Sequence, residues 1–417
     1  IAGAENTAGD LTTVNNFVRT PSLIDRTQAP ALGTAPSSST PEVWTESLEN
    51  GMELLGITQS ELPLVRFTLR LRGGMLLDDP DKIGVANLTG KMLLEGTATR
   101  TPAELEEAIR QLGATIRVSA SAEWITLSAT TLVRNYPAVL ELVREILLEP
   151  RWDEARFALV QDSTLSGIRQ NSANPNAIAS TVFKRLVYGS DNILANNISG
   201  DEESVAAITI EDLKTYYSTQ FSPSVATLHV VGDIDSGSVV ASLADLTQQW
   251  SARSIDVPQP QFQSSTARAG LYVVDVPGAP QSVIRVGYMA MPQIDPDYYP
   301  AAVMNHQLGG GITGRLFQIL RIQNGYTYGA RSGFAGTLLP GPFTVSTSVR
   351  ANVTLESMVL IKDILENYGE TYSEVDLLET KNAMIRSNFV NLETPNAQLG
   401  MLQDIGGYDL PSDYISQ

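Results

Sequence analysis

Gly84-Val-Ala-Asn-Leu-Thr-Gly-Lys-Met-Leu-Leu-Glu-Gly-Thr97 is the stretch on which the reading of the fold turns. Gly84 to Glu95 is an apolar run of helical character. Before it, Leu64–Arg72 sets Val65, Phe67, Leu69 and Leu71 against Arg66, Thr68, Arg70 and Arg72. That alternation predicts a strand with one buried face. Gly73-Gly74 and Asp78-Asp79-Pro80 mark the turn between strand and helix. After it, the segment Thr101–Gly113 has a Thr cap, Pro102 in the first turn, early acids and a closing glycine, which together predict a helix.

Working outward, Gly51–Ile57 reads as a further strand, and strands follow at 114–120 and 124–132. Helices follow at about 135–148, 153–171 and near Thr209–Gln220, and a buried strand closes the unit at Ala226–Ile234. The same order then recurs. Val283–Met291 reads as a strand, Tyr299–Gln323 is largely helical around Gly309-Gly310-Gly311, and 325–337 with 341–351 forms a strand pair. Helices follow at 355–368 and 373–392. The expected organisation is an arm or linker at 1–42, a first domain at 43–250, a linker at 251–270 and a second domain at 271–417. The arm is rich in Pro and Ser over 29–41 and cannot bury a core. The fold class is α+β: two similar domains, each a mostly antiparallel sheet packed with helices. The second copy lacks a counterpart of the last helix and strand of the first. The expectation is therefore that a C-terminal piece of a longer parent is missing, which would leave an open sheet edge.

The chain has 417 residues, 43% of them hydrophobic, which is enough for real cores. The charge of −18 argues against a nucleic-acid partner, which needs a basic footprint. No run approaches the ~18 apolar residues of a membrane span. Two histidines, His229 and His306, and no cysteine exclude a cysteine-based zinc site, an iron–sulfur cluster, a thiol nucleophile and a disulfide. A carboxylate site for calcium or magnesium stays open.

Several short motifs, in order and at suitable spacing, resemble the pitrilysin/insulinase family of zinc metallopeptidases, which includes mitochondrial processing peptidase. They are Asn50-Gly51, Arg72-Gly-Gly74, Gly84-Val-Ala86, Glu95-Gly-Thr97, Leu112-Gly-Ala114, Val231-Gly-Asp233, Pro277–Ser282, Asn305 with Leu308-Gly-Gly310, and Arg321 through Tyr328. The resemblance covers about 43–417. Active members carry H-x-x-E-H on the first helix: two His bind zinc, the Glu activates the bound water, and a later Glu is the third ligand. In this chain the motif positions are held by Asn87, Gly90 and Lys91, and the third-ligand position falls near Ser166–Gly167. Lys91 is a cation where zinc would sit. The resemblance therefore implies a half with no cofactor of its own, zinc being expected in a partner half.

The resemblance assigns catalysis to Arg321 and Tyr328, the family's Arg–x6–Tyr pair that holds and polarises the substrate backbone. It assigns substrate contact to Gly309, Gly310, Gly311 and His306. Read on their own, Arg321 is equally a surface arginine, Tyr328 a strand tyrosine packed on a sheet, and His229 a packed strand residue. The implied function is the zinc-free half of a composite metallopeptidase. Its partners are an H-x-x-E-H-bearing half and peptide substrates, the former separate or fused, with the interior-linker look of 1–42 favouring fusion. The implied location is the periplasm or cell envelope, with the cytoplasm also open. The alternative is a non-catalytic scaffold or peptide-binding protein on the same fold.

Overall fold

The computed structural model describes residues 24–25, 40–260, 262 and 269–415. Most of the arm expected at 1–42, and the middle of the linker expected at 251–270, lie outside the described residues.

The first sheet is built from β1 (Trp44–Ser47), β2 (Glu53–Thr58), β3 (Leu64–Arg72), β4 (Thr115–Ala120), β5 (Trp124–Leu132) and β6 (Ala226–Gly232) in the order β1-β2-β6-β3-β5-β4. All pairs are antiparallel except β2 with β6. Its helices are α1 (Val85–Met92), α2 (Pro102–Gln111), α3 (Tyr136–Leu148), α4 (Glu154–Ser172), α5 (Pro175–Tyr188), α6 (Glu202–Ala207), α7 (Ile210–Gln220), α8 (Ser236–Ser242) and α9 (Ala244–Gln249). The alternation read in Leu64–Arg72 is realised: Val65, Phe67, Leu69 and Leu71 enter the main core with Leu88 and Met92 of α1. Thr101 and Glu104 form the reciprocal cap that starts α2.

The second sheet has the order β7-β9-β8, from β7 (Gln281–Met289), β8 (Thr327–Phe334) and β9 (Pro342–Arg350), all antiparallel. Its helices are α10 (Tyr298–Gly309), α11 (Arg315–Phe317) running into a π-helical turn over Gln318–Gln323, α12 (Thr354–Glu366), α13 (Tyr368–Thr371), α14 (Glu374–Glu393) and α15 (Pro395–Tyr408). The duplication is visible in lengths as well as order. β3 and β7 have nine residues, β5 and β9 nine, α3 and α12 thirteen, α5 and α15 fourteen.

The two domains exchange helices. α5 leaves the first domain and packs on β7, where its Phe183 ring lies against Gly287 and Asn176 accepts from Arg285 at 3.5 Å. α15 makes the reverse crossing onto β2, β3 and β6. Its Leu399, Met401, Leu402 and Ile405 bury against Leu55, Ile57 and Val231 on the face of the first sheet opposite the main core. Each such side chain contributes roughly 1.5–3 kcal/mol of burial. The two helices open alike, Asn174-Pro-Asn-Ala and Thr394-Pro-Asn-Ala, and both end in Tyr. Arg66 donates to Asn396, and Arg70 lies over the Trp124 ring at 4.1 Å while donating to the Gln403 carbonyl at 3.3 Å. A Cβ at Gly406 would stand 2.9 Å from Nε2 of His229, so glycine lets α15 approach the sheet there. The exchange makes both sheets part of one compact unit.

His229 is a buried residue of the central strand β6, and its Nδ1 faces the Thr68 carbonyl at 3.3 Å. Burial, aided by nearby Arg70, lowers its pKa to about 3, so it stays neutral.

Candidate functional site

The helix that carries the family's zinc motif is α1. It begins where the Asp78 carboxylate accepts from the backbone N–H of Gly84 and Ala86, both at 2.8 Å. Burial outweighs these two donors and raises the Asp78 pKa to about 7. Along α1, Asn87 is half-buried with no hydrogen-bond partner for its amide nitrogen, and the buried Thr89 hydroxyl also has none. Gly90 faces Val118 of β4. Lys91 reaches across and donates to the Thr164 hydroxyl of α4 at 2.7 Å, and partial burial lowers its pKa. The α4 residue that Lys91 meets is Thr164, less than one turn before the Ser166–Gly167 stretch.

These residues do not fit a zinc ion. Gly90 offers no side chain, Lys91 is a cation, and Thr164 is no carboxylate. Among the described residues no group of three or more His, Cys, Asp or Glu is placed to hold a metal.

The second candidate lies between α10 and β8. Asn305, in the last turn of α10, donates from its amide to the Ser332 carbonyl of β8 at 3.0 Å. A Cβ at Gly309 would stand 2.5 Å from the Ser332 backbone nitrogen, so this glycine lets the helix end rest on the strand. His306 is half-buried in the same helix, beside Gly310. Gly311 faces open space. Of the expected glycines, Gly309 and Gly310 approach the molecule's own backbone and side chains, and Gly311 alone is open.

Arg321 and Tyr328 are brought together. Arg321 sits in the π-helical turn, marked by the Asn324 N–H donating to the Ile319 carbonyl at 3.2 Å. Such turns recur at functional sites because they reset side-chain direction within a helix. The Arg321 guanidinium stacks over the Phe317 ring at 5.1 Å and donates to the backbone carbonyl of Tyr328. Tyr328 lies where the β8–β9 register shifts between Thr327 and Ala330. The Thr327 hydroxyl lies within hydrogen-bond distance of the carbonyls of Gly329 and Ser348, at 2.9 and 2.7 Å, and the Thr347 hydroxyl lies 2.9 Å from the Gly329 carbonyl. A bulge of this kind re-aims a side chain. Tyr328 is accordingly 83% exposed. An oriented guanidinium beside an exposed phenol can donate to a carbonyl and to an oxyanion. Phe317, Thr327, Thr347 and Ser332 are supports that the sequence reading did not single out.

A repeated α+β domain, with a zinc helix lacking its ligands in one copy and an exposed Arg–Tyr pair in the other, defines a peptidase-like chain with no metal site among its described residues. Two family profiles match it: "Insulinase (Peptidase family M16)" over residues 58–193 and "Peptidase M16 inactive domain" over residues 207–384. The chain belongs to peptidase family M16, and it lacks that family's zinc ligands. It is 23% identical to an uncharacterized zinc protease of Streptomyces coelicolor over 76% of this chain and 70% of that protein. It is 22% identical to the non-peptidase homolog YmxG of Helicobacter pylori over 85% and 81%. The crystal structure of a peptidase M16 inactive domain from Pseudomonas fluorescens superposes with a TM-score of 0.83 at 25% identity, covering 90% of each chain. The periplasmic protease PqqL of Escherichia coli superposes at 0.75 with 14% identity, over 96% of this chain and 45% of that one. Among the described residues no helix is long and apolar enough to cross a membrane.

Proposed function

We propose that this chain is the zinc-free half of an M16 metallopeptidase. A partner half supplies zinc, the general-base Glu and the bound water, and this half supplies Arg321 and Tyr328. The observation that carries the reading is the contrast within one chain: the zinc positions are filled by Asn87, Gly90 and Lys91, whereas Arg321 and Tyr328 are held at one corner. In the composite site Arg321 holds the peptide backbone, and the Tyr328 hydroxyl donates to the oxyanion as it forms. Gly311 and His306 border the peptide. PqqL, whose chain is about twice as long over the matched fold, supports a partner half joined in one polypeptide, and its periplasmic title supports an envelope location.

The test is to purify the chain with and without an H-x-x-E-H-bearing partner and assay peptide cleavage. Zinc-dependent cleavage by the pair alone is the expected result. Zinc-dependent cleavage by this chain by itself would overturn the reading. A second reading, a non-catalytic peptide-binding scaffold, is favoured by the name of the Helicobacter relative. It predicts that the pair forms and binds peptide but that substitution of Arg321 leaves its turnover unchanged.

A further inference from the structure

The sequence holds two Asn–Gly steps, Asn50-Gly51 and Asn324-Gly325. At such a step the backbone nitrogen of the glycine can attack the side-chain amide. Glycine has no Cβ to obstruct that approach and turns freely to the backbone angles it needs. The two steps stand in opposite surroundings.

Asn50 is 8% exposed and held at both ends of its amide. The amide nitrogen donates to the Trp250 carbonyl at 3.2 Å, and the amide oxygen accepts from the Met52 N–H at 3.3 Å. Met52 and Trp250 both belong to the main core, so freeing Asn50 means opening that core.

Asn324 closes the π-helical turn, and it is exposed together with Gln323 and Gly325. Among the described residues its side chain makes one hydrogen bond, a donation to the Ile319 carbonyl at 2.8 Å. A Cβ at Gly325 would meet nothing within 4 Å, so the backbone has room to turn. The Gly325 N–H donates to the Arg321 carbonyl at 3.0 Å and must be released before it reacts. An exposed turn at the end of an element opens at low cost.

We propose that Asn324 is a site of spontaneous deamidation that uncouples Arg321 from Tyr328. The Gly325 nitrogen gives its proton to solvent and bonds to Cγ of Asn324, closing a succinimide ring. The side-chain nitrogen takes up a proton and leaves as ammonia. Water then adds at either imide carbonyl and opens the ring, leaving aspartate or iso-aspartate. Neither product donates to the Ile319 carbonyl, because a carboxylate only accepts. Iso-aspartate also routes the backbone through the side-chain methylene. That lengthens the chain between Arg321 and Tyr328, whose guanidinium–carbonyl contact depends on their spacing. The chemistry is independent of the proteolytic reading; only its cost to a composite enzyme rests on that reading.

The test is to incubate the whole protein at mildly alkaline pH and follow it by tryptic mass spectrometry, beside the free peptide Ile322–Arg331. The expected result is exchange of NH for O at Asn324, at least ~10-fold faster than at Asn50, whose reaction waits on opening of the core. Amide hydrogen exchange at Asn324, Gly325 and Tyr326 should quicken in the aged protein, as their bonds to Ile319, Arg321 and Leu320 are released. Asn324→Gln, which would have to close a larger ring, should keep its mass and its slow exchange over the same period. An Asn324 that stays intact while the free peptide converts would overturn the proposal, as would an Asn50 that reacts equally fast. Deamidation with unchanged exchange across 324–326 would overturn the uncoupling. The mass is read without any partner. Deamidation at Asn324 together with full turnover of the Arg321→Ala pair would therefore sink the catalytic assignment and leave this one standing.

Discussion

α1 lies in the first copy of the fold, and the segment from Arg315 to Ala330 lies in the second. α1 has turned inward. Thr89 and Gly90 are buried, and Lys91 bonds to Thr164. The Arg321–Tyr328 segment is turned outward, with a π-helical turn, a stacked arginine and a bulged strand that aims a tyrosine at solvent. Packing accounts for Gly90, which faces Val118, and for Lys91, which bonds to Thr164. Packing does not explain an 83% exposed tyrosine on a bulge secured by the Thr327 and Thr347 hydroxyls. That exposure is what supports the proposed contact with another molecule.

The comparison breaks most severely if α10 is lifted from β8. Gly309→Ala should destabilise the chain by about 3 kcal/mol, since the added methyl meets backbone. Loss of both stability and pair activity is expected in thermal melts and cleavage assays; a Tm within a degree of wild type would show that the close approach is unimportant.

A substitution confined to the outward region should spare the fold. Tyr328→Phe should lower kcat of the assembled pair by about 10-fold or more with little change in Tm, as expected for removal of one oxyanion donor. An unchanged kcat would remove the hydroxyl from the chemistry.

The interior of the first domain should show its buried groups in pH dependence. His229 stays neutral down to about pH 3 when folded and titrates near 6.5 when unfolded. Below 6.5 the unfolded chain binds the extra proton, so stability falls with acid by up to about 1.4 kcal/mol per pH unit. Asp78 titrates near 7 when folded and near 3.8 when unfolded. Its folded form binds the proton first, so its contribution grows as pH falls from 7 to 3.8. The two slopes oppose each other between 3.8 and 6.5. Asp78→Asn should therefore make urea midpoints fall more steeply from pH 6.5 to 4 than in wild type, and parallel profiles would refute the pairing.

The smallest effect is expected at the former zinc position. Lys91→Ala should cost about 0.5–1 kcal/mol through its bond to Thr164 and leave kcat of the pair unaltered. A large loss of activity would mean that α1 still takes part in chemistry.

The strands and the zinc loss were legible because they depend on local signals: period-two alternation in Leu64–Arg72 and ligand chemistry at Asn87, Gly90 and Lys91. The Arg321–Tyr328 spacing was legible too. Its supports were not, since the bulge depends on Thr347 and Ser348 of another strand. The crossing helices α5 and α15 also escaped. Asn174-Pro175 and Thr394-Pro395 read as breakers, and Gly400, Gly406 and Gly407 lower helix propensity. Those features answer to the opposite domain, as Gly406 answers to His229. The repeated Pro-Asn-Ala opening was the available signal.

The most direct measurement is kcat of the zinc-bearing partner combined with Arg321→Ala, with Tm measured alongside. A fall of about 10²-fold at unchanged Tm is predicted, the loss expected for an oriented donor to the reacting carbonyl. Turnover equal to that of the wild-type pair would contradict the assignment of this chain as a catalytic half.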